Sequence, residues 1–267
     1  MDTTKIRTAI FVVAIFFCVV AAPVKADWDP GEDYKMHYPQ LPNATGWDVF
    51  NGGPYMLADD WRCTETGPVT DLHIWGSWRG DGNATDFQVF HLEIRDDNTS
   101  NFHNKPGDIL WERDFDTSDY TVRWNVTGLQ GFYSPQWGFT NYLLNNHYQT
   151  YQYNFYVDPS EAFVQQEGNI YWLVVSSNIT ESLPVSFGLK TSMSPQFGNN
   201  AVFWNESIGG WSELIDPLTR ESLDLAFVIT GEPQPSPVSA LTPTGLVALV
   251  GLLSAIAAAA IVRKRRC

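Results

Sequence analysis

Alternation of apolar and polar residues with a period of two recurs along the central part of this chain, and it restricts the fold more than any other feature. Aromatic or apolar residues occupy every second position in Tyr148–Val157, and Leu223–Thr230 and Phe87–Arg95 alternate in the same way. Successive side chains of a β-strand point to opposite faces of a sheet, so this spacing predicts half-buried strands. No helical stripe of useful length appears in residues 27–232. This region is therefore predicted to be all-β.

Ten segments of this kind, each bounded by turn-forming residues, predict ten strands. The other seven are Met56–Trp61, Val69–Trp75, Asp108–Phe115, Asn169–Ser176, Val185–Thr191, Ala201–Trp204 and Trp211–Leu214. Many short strands with polar connections favour two antiparallel sheets packed face to face, so we expect a two-layer β-sandwich of jelly-roll type. Thr127–Asn146 has no clear period and is predicted to be a long loop rich in aromatic residues.

The two ends of the chain predict a protein that is exported and remains attached to a membrane. Residues 1–26 combine Lys5 and Arg7 with a short apolar run and a small residue at position 26, which is typical of a signal peptide. Residues 244–262 carry no charge and would span about 28 Å as a helix, close to the ~30 Å hydrocarbon core of a bilayer. Basic residues 263–266 follow and are expected to stay in the cytoplasm, which places the preceding domain outside.

These segments divide the chain into five parts. They are a signal peptide (1–26), an extracellular β-sandwich domain (27–232), a proline-rich linker (233–243), a transmembrane helix (244–262) and a basic cytoplasmic tail (263–267). Alternating prolines favour extended polyproline II, so the linker is expected to hold the domain away from the membrane. The predicted location is the cell surface, as a single-pass membrane protein.

Residues 239–245, together with the apolar helix and the basic cluster, resemble the C-terminal sorting signals of prokaryotic surface proteins of the archaeosortase type. The resemblance implies that a membrane transpeptidase removes the helix and attaches a lipid. Anchoring by the intact helix is the alternative.

Charge and glycosylation signals agree with an exterior location. Residues 27–262 contain nine Lys or Arg and 29 Asp or Glu, and so acidic a surface repels phosphate backbones and excludes nucleic acid as a partner. The Asn-x-Ser/Thr sites, which predict glycosylation, are Asn43, Asn83, Asn98, Asn125, Asn178 and Asn205. Cys63 is the single cysteine of the domain, so no intrachain disulfide is predicted there.

Several short motifs lie along the domain, and they are Leu57–Trp61, Ile74–Trp78, Asp224–Ile229, Lys35–Pro42 and Gly46–Val49. Together they resemble a β-sandwich domain family of secreted and surface proteins from methanogens and some bacteria. They cover most of the domain. The resemblance implies a β-sandwich at the cell surface and implies no activity, because this uncharacterised family has none assigned.

Aromatic residues are the first candidate binding groups, since all 11 tryptophans lie within residues 28–211. Aromatic rings stack against the apolar C–H face of sugars, which carbohydrate-binding sandwiches use. The candidates near loops or strand ends are Trp75, Trp78, Trp137 and Trp211. The alternative is that the aromatic residues fill the core of the sandwich, where β-propensity favours them.

Acidic residues suggest two further sites. Asp81, Asn83 and Asp86 offer oxygen ligands within one turn and form a candidate site for structural calcium, with a solvated acidic surface as the alternative. No other cofactor is predicted. His91, Glu93 and Arg95 are spaced two apart and so share one sheet face, a pattern that suits a hydrolase but also any strand with one wet face.

Known catalytic and metal motifs are missing from the sequence. The five histidines lack the spacing typical of metal ligands, and there is no nucleophile elbow, zinc-protease motif or phosphate loop. The sequence therefore predicts a non-enzymatic surface module that contacts the membrane through its C-terminal helix. We expect it to be either an envelope component or a binder of surface glycans or neighbouring envelope proteins. A glycan-active hydrolase or lyase on the same fold is the alternative.

Overall fold

In the computed structural model, the described residues are 27–100, 104–179 and 185–231, and they form β-strands. The strands are β1 Trp47–Phe50, β2 Leu57–Arg62, β3 Gly67–Pro68, β4 Asp71–Trp78, β5 Phe90–Asn98, β6 Lys105–Phe115, β7 Tyr120–Tyr133, β8 Tyr142–Tyr156, β9 Val164–Gln165, β10 Ile170–Ser177, β11 Phe187–Lys190, β12 Val202–Asn205, β13 Gly210–Glu213 and β14 Phe227–Thr230. Three short 3-10 helices cover Arg79–Asp81, Thr85–Phe87 and Pro135–Trp137. Within these ranges, no helix has the length and apolar character needed to cross a bilayer. The predicted signal peptide, linker, transmembrane helix and tail lie outside the described residues.

The first sheet closes into a five-stranded ring. Its strand order is β11-β1-β7-β8-β4-β14, and β11 also pairs with β4, so the hydrogen-bonded neighbours return to their start. Strand β4 permits this because β14 pairs with its first half and β11 with its second half. Strands β1 and β7 run parallel. The prediction of a purely antiparallel sandwich is therefore wrong at this pair.

The second sheet curls so that its outer face is concave. Its order is β13-β12-β2-β10-β5-β6, and β3 and β9 form a separate small ribbon. Arg95 on β5 nevertheless places its guanidinium 5.8 Å from the ring centre of Trp211 on β13, although three strands lie between β5 and β13 in the sheet. Lys105 on β6 donates a hydrogen bond of 2.7 Å to the carbonyl oxygen of Trp211. These contacts require the two ends of the sheet to approach each other.

The main core lies between the two sheets and is rich in aromatic rings. Phe90 of the second sheet packs edge to face against three rings of the first sheet, with centroid distances of 5.3 Å to Tyr153, 5.2 Å to Phe155 and 5.5 Å to Phe187. Large aromatic side chains bury roughly 150–250 Å² each, and such area supplies most of the stabilisation of a core at about 25 cal/mol per Å². The described part of the chain is all-β with two packed sheets, as its sequence predicts.

Each of the ten predicted segments contains a strand, although several ends are displaced. The prediction of a long loop at Thr127–Asn146 is wrong. Most of that segment belongs to the long hairpin of β7 and β8, whose strands are joined through the 3-10 helix Pro135–Trp137. The register of this hairpin shifts at three places along its length. Each shift changes which residues share a face, and this removes the period-two signal from the sequence.

Candidate functional site

Three of the four candidate tryptophans are buried, which contradicts the predicted aromatic platform. Trp75, Trp78 and Trp211 are at most 7% exposed. Trp75 packs edge-on against Trp28, and Trp78 packs against Phe187, so protein atoms cover their rings. A strand end that is buried by a closed ring or a curled sheet has the same local sequence as one at the surface. The sequence therefore gave no means of separating the two cases.

Trp137, the fourth candidate, is 38% exposed and adjoins a cleft. The cleft lies between the β7–β8 connection and the β12–β13 hairpin and has a volume of about 360 Å³. Its walls combine aromatic rings with hydrogen-bonding groups, among them Tyr133, Phe139, Phe203, Gln136, Ser212 and Glu213. The Nε2 of Gln136 is buried and has no hydrogen-bond partner among the described residues. An unpaired buried donor costs about 1–3 kcal/mol.

The predicted calcium ligands have other partners in the fold. The Asp81 carboxylate accepts hydrogen bonds from the backbone N–H groups of Tyr148 and of the next residue. The Oδ1 of Asn83 accepts from both the N–H and the hydroxyl of Thr85. Asp86 is exposed on the 3-10 helix that follows. Asp81 thus binds the backbone of β8 and Asn83 holds a local turn, so these oxygens already have partners within the fold.

Four of the six glycosylation sites share one local geometry. In each, the asparagine Oδ1 accepts hydrogen bonds from the N–H and the hydroxyl of the Ser or Thr two positions later. These four are Asn43, Asn83, Asn98 and Asn205. Asn83 and Asn98 are exposed, whereas Asn43 and Asn205 are half-buried.

At two of the six sites the amide nitrogen of the asparagine already donates a hydrogen bond. The Nδ2 of Asn178 donates to the carbonyl oxygen of Phe87 at 2.9 Å, and the Nδ2 of Asn205 donates to Ser212. Asn125 is half-buried within β7. Since the glycan is attached through Nδ2, the geometry favours Asn83 and Asn98 as acceptors.

His91 lies within a group of acidic side chains on the outer face of the second sheet. In the register of β5 and β6, His91 lies opposite Asp114, and Glu93 lies opposite Glu112. The Nε2 of His91 is 3.1 Å from Glu93 Oε1 and 3.6 Å from Glu112 Oε2, and its Nδ1 is 2.7 Å from Asp114 Oδ1. His91, Glu93 and Arg95 share one face, as their spacing predicts. The two carboxylates of β6 were missed, because only the pairing of the strands brings them here.

Hydrogen bonds between charged side chains hold the His91 group together. Arg95 donates through Nε to the Oε2 of Glu93, a side chain that is only 6% exposed. Burial disfavours the charged imidazolium, but hydrogen bonds to Asp114 and Glu93 outweigh it and raise the pKa of His91 above its ordinary value. The three atoms His91 Nε2, Glu93 Oε1 and Glu112 Oε2 therefore surround a position that favours positive charge.

The ring formed by the first sheet contains a buried polar network. Asp48 Oδ2 accepts hydrogen bonds of 2.8 Å from His147 Nε2 and from Lys190 Nζ. Lys190 also donates to Gln130, which accepts a further bond from Thr150. Burial alone would raise the pKa of Asp48, but the Lys190 charge and the His147 hydrogen bond lower it. These groups come from four strands far apart in the chain, so no local pattern could predict them.

Three further carboxylates are buried around the loop that follows β11. The Oδ2 of Asp60 accepts from the backbone and side-chain nitrogens of Asn199 at 3.4 and 3.3 Å, and the Oδ2 of Asp224 accepts from the N–H of Phe197. Burial raises the pKa of Asp60 and of Asp224 to about 7, and that of Asp59 well above its ordinary value. One signal was available: two adjacent acids inside a predicted strand point to opposite faces, so at least one must be buried.

The fold of the described residues is all-β, with two sheets packed together. The family model described as "Domain of unknown function (DUF7901)" matches residues 36–230, and the chain belongs to this family. The match is consistent with the resemblance to a domain family that has no assigned activity.

Comparison with curated proteins and with solved structures indicates no function. No curated protein matches this chain. A solved structure described as "AvmM Catalyzes Macrocyclization in Alchivemycin A Biosynthesis" is 12% identical, with 77% of this chain and 93% of that chain covered and a TM-score of 0.28. Structural similarity this low carries no argument about function.

Proposed function

We propose that this protein is a membrane-anchored, glycosylated cell-surface module that binds a glycan without transforming it. The location is supported by the signal-peptide pattern of residues 1–26, the uncharged segment 244–262 and the basic residues after it. Glycosylation is supported by the accessible acceptor sites Asn83 and Asn98. A methanogen-type surface protein with a sorting signal at its C-terminus agrees with these features.

The observation that carries glycan binding is a cleft in which the exposed ring of Phe139 lies beside polar side chains, among them Gln136 and Glu213. Sugars combine an apolar ring face with hydroxyl groups that both donate and accept hydrogen bonds. Phe139, which is 45% exposed, offers apolar surface, and Gln136, Ser212 and Glu213 place polar side chains in the walls of the cleft. A volume of about 360 Å³ lies within the range of small-ligand sites.

Binding rather than hydrolysis is supported by the acidic content of this cleft. A glycosidase needs two carboxyl groups on either side of the scissile bond, roughly 5–9.5 Å apart. Glu213 is the one carboxylate among the residues that line the cleft in the described part of the chain. A single carboxylate suits recognition of a hydroxyl group.

Isothermal titration of the full-length protein with a panel of neutral and acidic di- to tetrasaccharides tests the proposal. At least one sugar is expected to bind, and Gln136→Ala should weaken its binding tenfold or more. Gln166→Ala replaces an exposed glutamine elsewhere and serves as the matched control, with unchanged affinity expected. Absence of binding across the panel, or equal affinity for the two variants, would contradict the assignment.

A glycan-active hydrolase or lyase on a jelly-roll-like sandwich is the second candidate, and Glu93 beside Glu112 favours it. Both carboxylates lie near His91, which is able to carry a proton. Incubation of the same sugars with the protein, followed by mass spectrometry of the products, separates the two functions. Release of shorter sugars that disappears in Glu93→Gln would establish the enzyme and overturn the non-catalytic proposal.

A further inference from the structure

Three potential ligand atoms converge on the outer face of the second sheet, and they come from three different side chains. His91 Nε2, Glu93 Oε1 and Glu112 Oε2 all lie within 4.8 Å of one another. His91 and Glu93 are fixed on β5, and Glu112 is fixed directly opposite on β6. Two paired strands hold the three side chains, so their arrangement does not depend on a loop.

The contact with Asp114 determines which ring nitrogen of His91 carries a proton. Asp114 lies 2.7 Å from Nδ1, and a carboxylate at that distance requires a proton on Nδ1. In the neutral ring the lone pair of Nε2 then points toward two carboxylate oxygens. Three lone pairs at this spacing repel one another unless a positive charge lies between them. Either a proton on Nε2 or a bound cation satisfies this requirement.

The distances suit a metal ion as well as a proton. Bonds of about 2.0–2.1 Å in a tetrahedral zinc site place neighbouring ligand atoms about 3.3 Å apart. The observed separations from His91 Nε2 are 3.1 Å to Glu93 and 3.6 Å to Glu112. One imidazole with two carboxylates is a ligand set that zinc and similar divalent ions accept, with water in the remaining position.

Partners of the three side chains orient them as the outer shell of a metal site does. A metal-bound histidine usually donates its second ring N–H to a carboxylate, and Asp114 occupies that position on His91. Arg95 holds the other oxygen of Glu93, which is nearly buried, so Oε1 is directed at His91. A cluster that arises by chance on a surface does not need hydrogen bonds that orient both the histidine and the carboxylate.

We propose that His91, Glu93 and Glu112 bind one divalent transition-metal ion of the zinc class, with Asp114 and Arg95 as positioning residues. The site lies on β5 and β6, whereas the proposed glycan cleft is lined by residues of the β7–β8 connection and the β12–β13 hairpin. The proposed metal site and the proposed glycan site therefore consist of different residues, and one can be present without the other.

Titration of the chelator-treated full-length protein with zinc, followed by calorimetry, tests the site. We expect one ion per chain. His91→Ala and Glu112→Gln should each weaken binding at least tenfold, while His37→Ala, which removes a histidine outside the cluster, should leave it unchanged. Asp114→Asn should weaken it tenfold or more, because outer-shell changes commonly cost 10–100-fold. Circular dichroism of every variant verifies that the fold is retained.

Cobalt provides a second readout that does not depend on affinity alone. Cobalt bound at the site should give the visible absorption of a four- or five-coordinate ion, and the His91→Ala variant should lose it. Zinc binding that is absent, or that persists unchanged in His91→Ala, would overturn the proposal. In that case a proton would be the positive charge that holds the three side chains together.

Discussion

The buried carboxylate of Asp60 should make the protein less stable as the pH rises from about 4 to 7. In the folded state the pKa of Asp60 is raised to about 7, mainly by burial. In the unfolded chain it returns to about 3.9, so between these values the folded state holds a proton that the unfolded state has released. Because the pKa of Asp60 is higher in the folded than in the unfolded state, the stability that this group contributes is fully present below about pH 4 and is lost as the pH rises to about 7.

The magnitude follows from the difference between the two pKa values. Each unit corresponds to 1.36 kcal/mol, so about three units amount to about 4 kcal/mol for Asp60. Asp60→Asn keeps an oxygen that accepts from Asn199 and cannot ionise. The free energy of unfolding of the variant, minus that of the unaltered protein, should therefore rise by up to about 3 kcal/mol of this between pH 4.5 and 7.5.

Urea unfolding followed by tryptophan fluorescence at four pH values in this range measures the effect. Titrating groups far from Asp60 contribute equally to both proteins and cancel in the difference, whereas Asp59 and Asp224 interact with Asp60 and add to the measured change. Glu206→Gln removes an exposed carboxylate and is the control, for which a nearly flat difference is expected. An Asp60→Asn difference that stays flat across the window, or that falls as the pH rises, would refute the reasoning.

Two further predictions concern the interior. Lys190→Met removes the buried lysine that pairs with Asp48, leaves His147 as the partner of that carboxylate oxygen, and should cost about 3–5 kcal/mol of unfolding free energy in urea. The double change Asp48→Asn/Lys190→Met should recover most of this loss, and equal losses in the two proteins would argue against a paired charge. Gly52→Ala would place a Cβ 1.8 Å from the carbonyl oxygen of Ile179 and should lower the free energy of unfolding, measured by thermal unfolding, by about 1–3 kcal/mol or more. Gly210→Ala meets nothing within 4 Å and should be nearly neutral, so similar losses of stability in the two variants would contradict the close packing at Gly52.

The sequence predicts the strands well where the register is regular. Phe90, Leu92 and Ile94 alternate cleanly and lie in the core between the sheets. The β7–β8 hairpin was missed because its register shifts, and each shift moves side chains to the other face. Closure of the first sheet was not predictable, since it depends on β4 pairing with two different strands along one edge.

The sites were harder to predict than the strands. The spacing of His91 and Glu93 correctly predicted a shared face, but Glu112 joins them only through the pairing of β5 with β6. Exposure of tryptophans was predicted from their position near strand ends, and this signal failed at Trp75 and Trp78 because the ring and the second sheet cover them. Local sequence determines the direction of a side chain but not what lies over it.

Mass spectrometry of the protein isolated from its native cells tests the central claim most directly. If the chain is an exported surface glycoprotein, the spectrum should show an N-terminus at Asp27 and hexose-containing adducts on Asn83 and Asn98. Recovery of the unprocessed chain with all six acceptor asparagines unmodified would contradict that account.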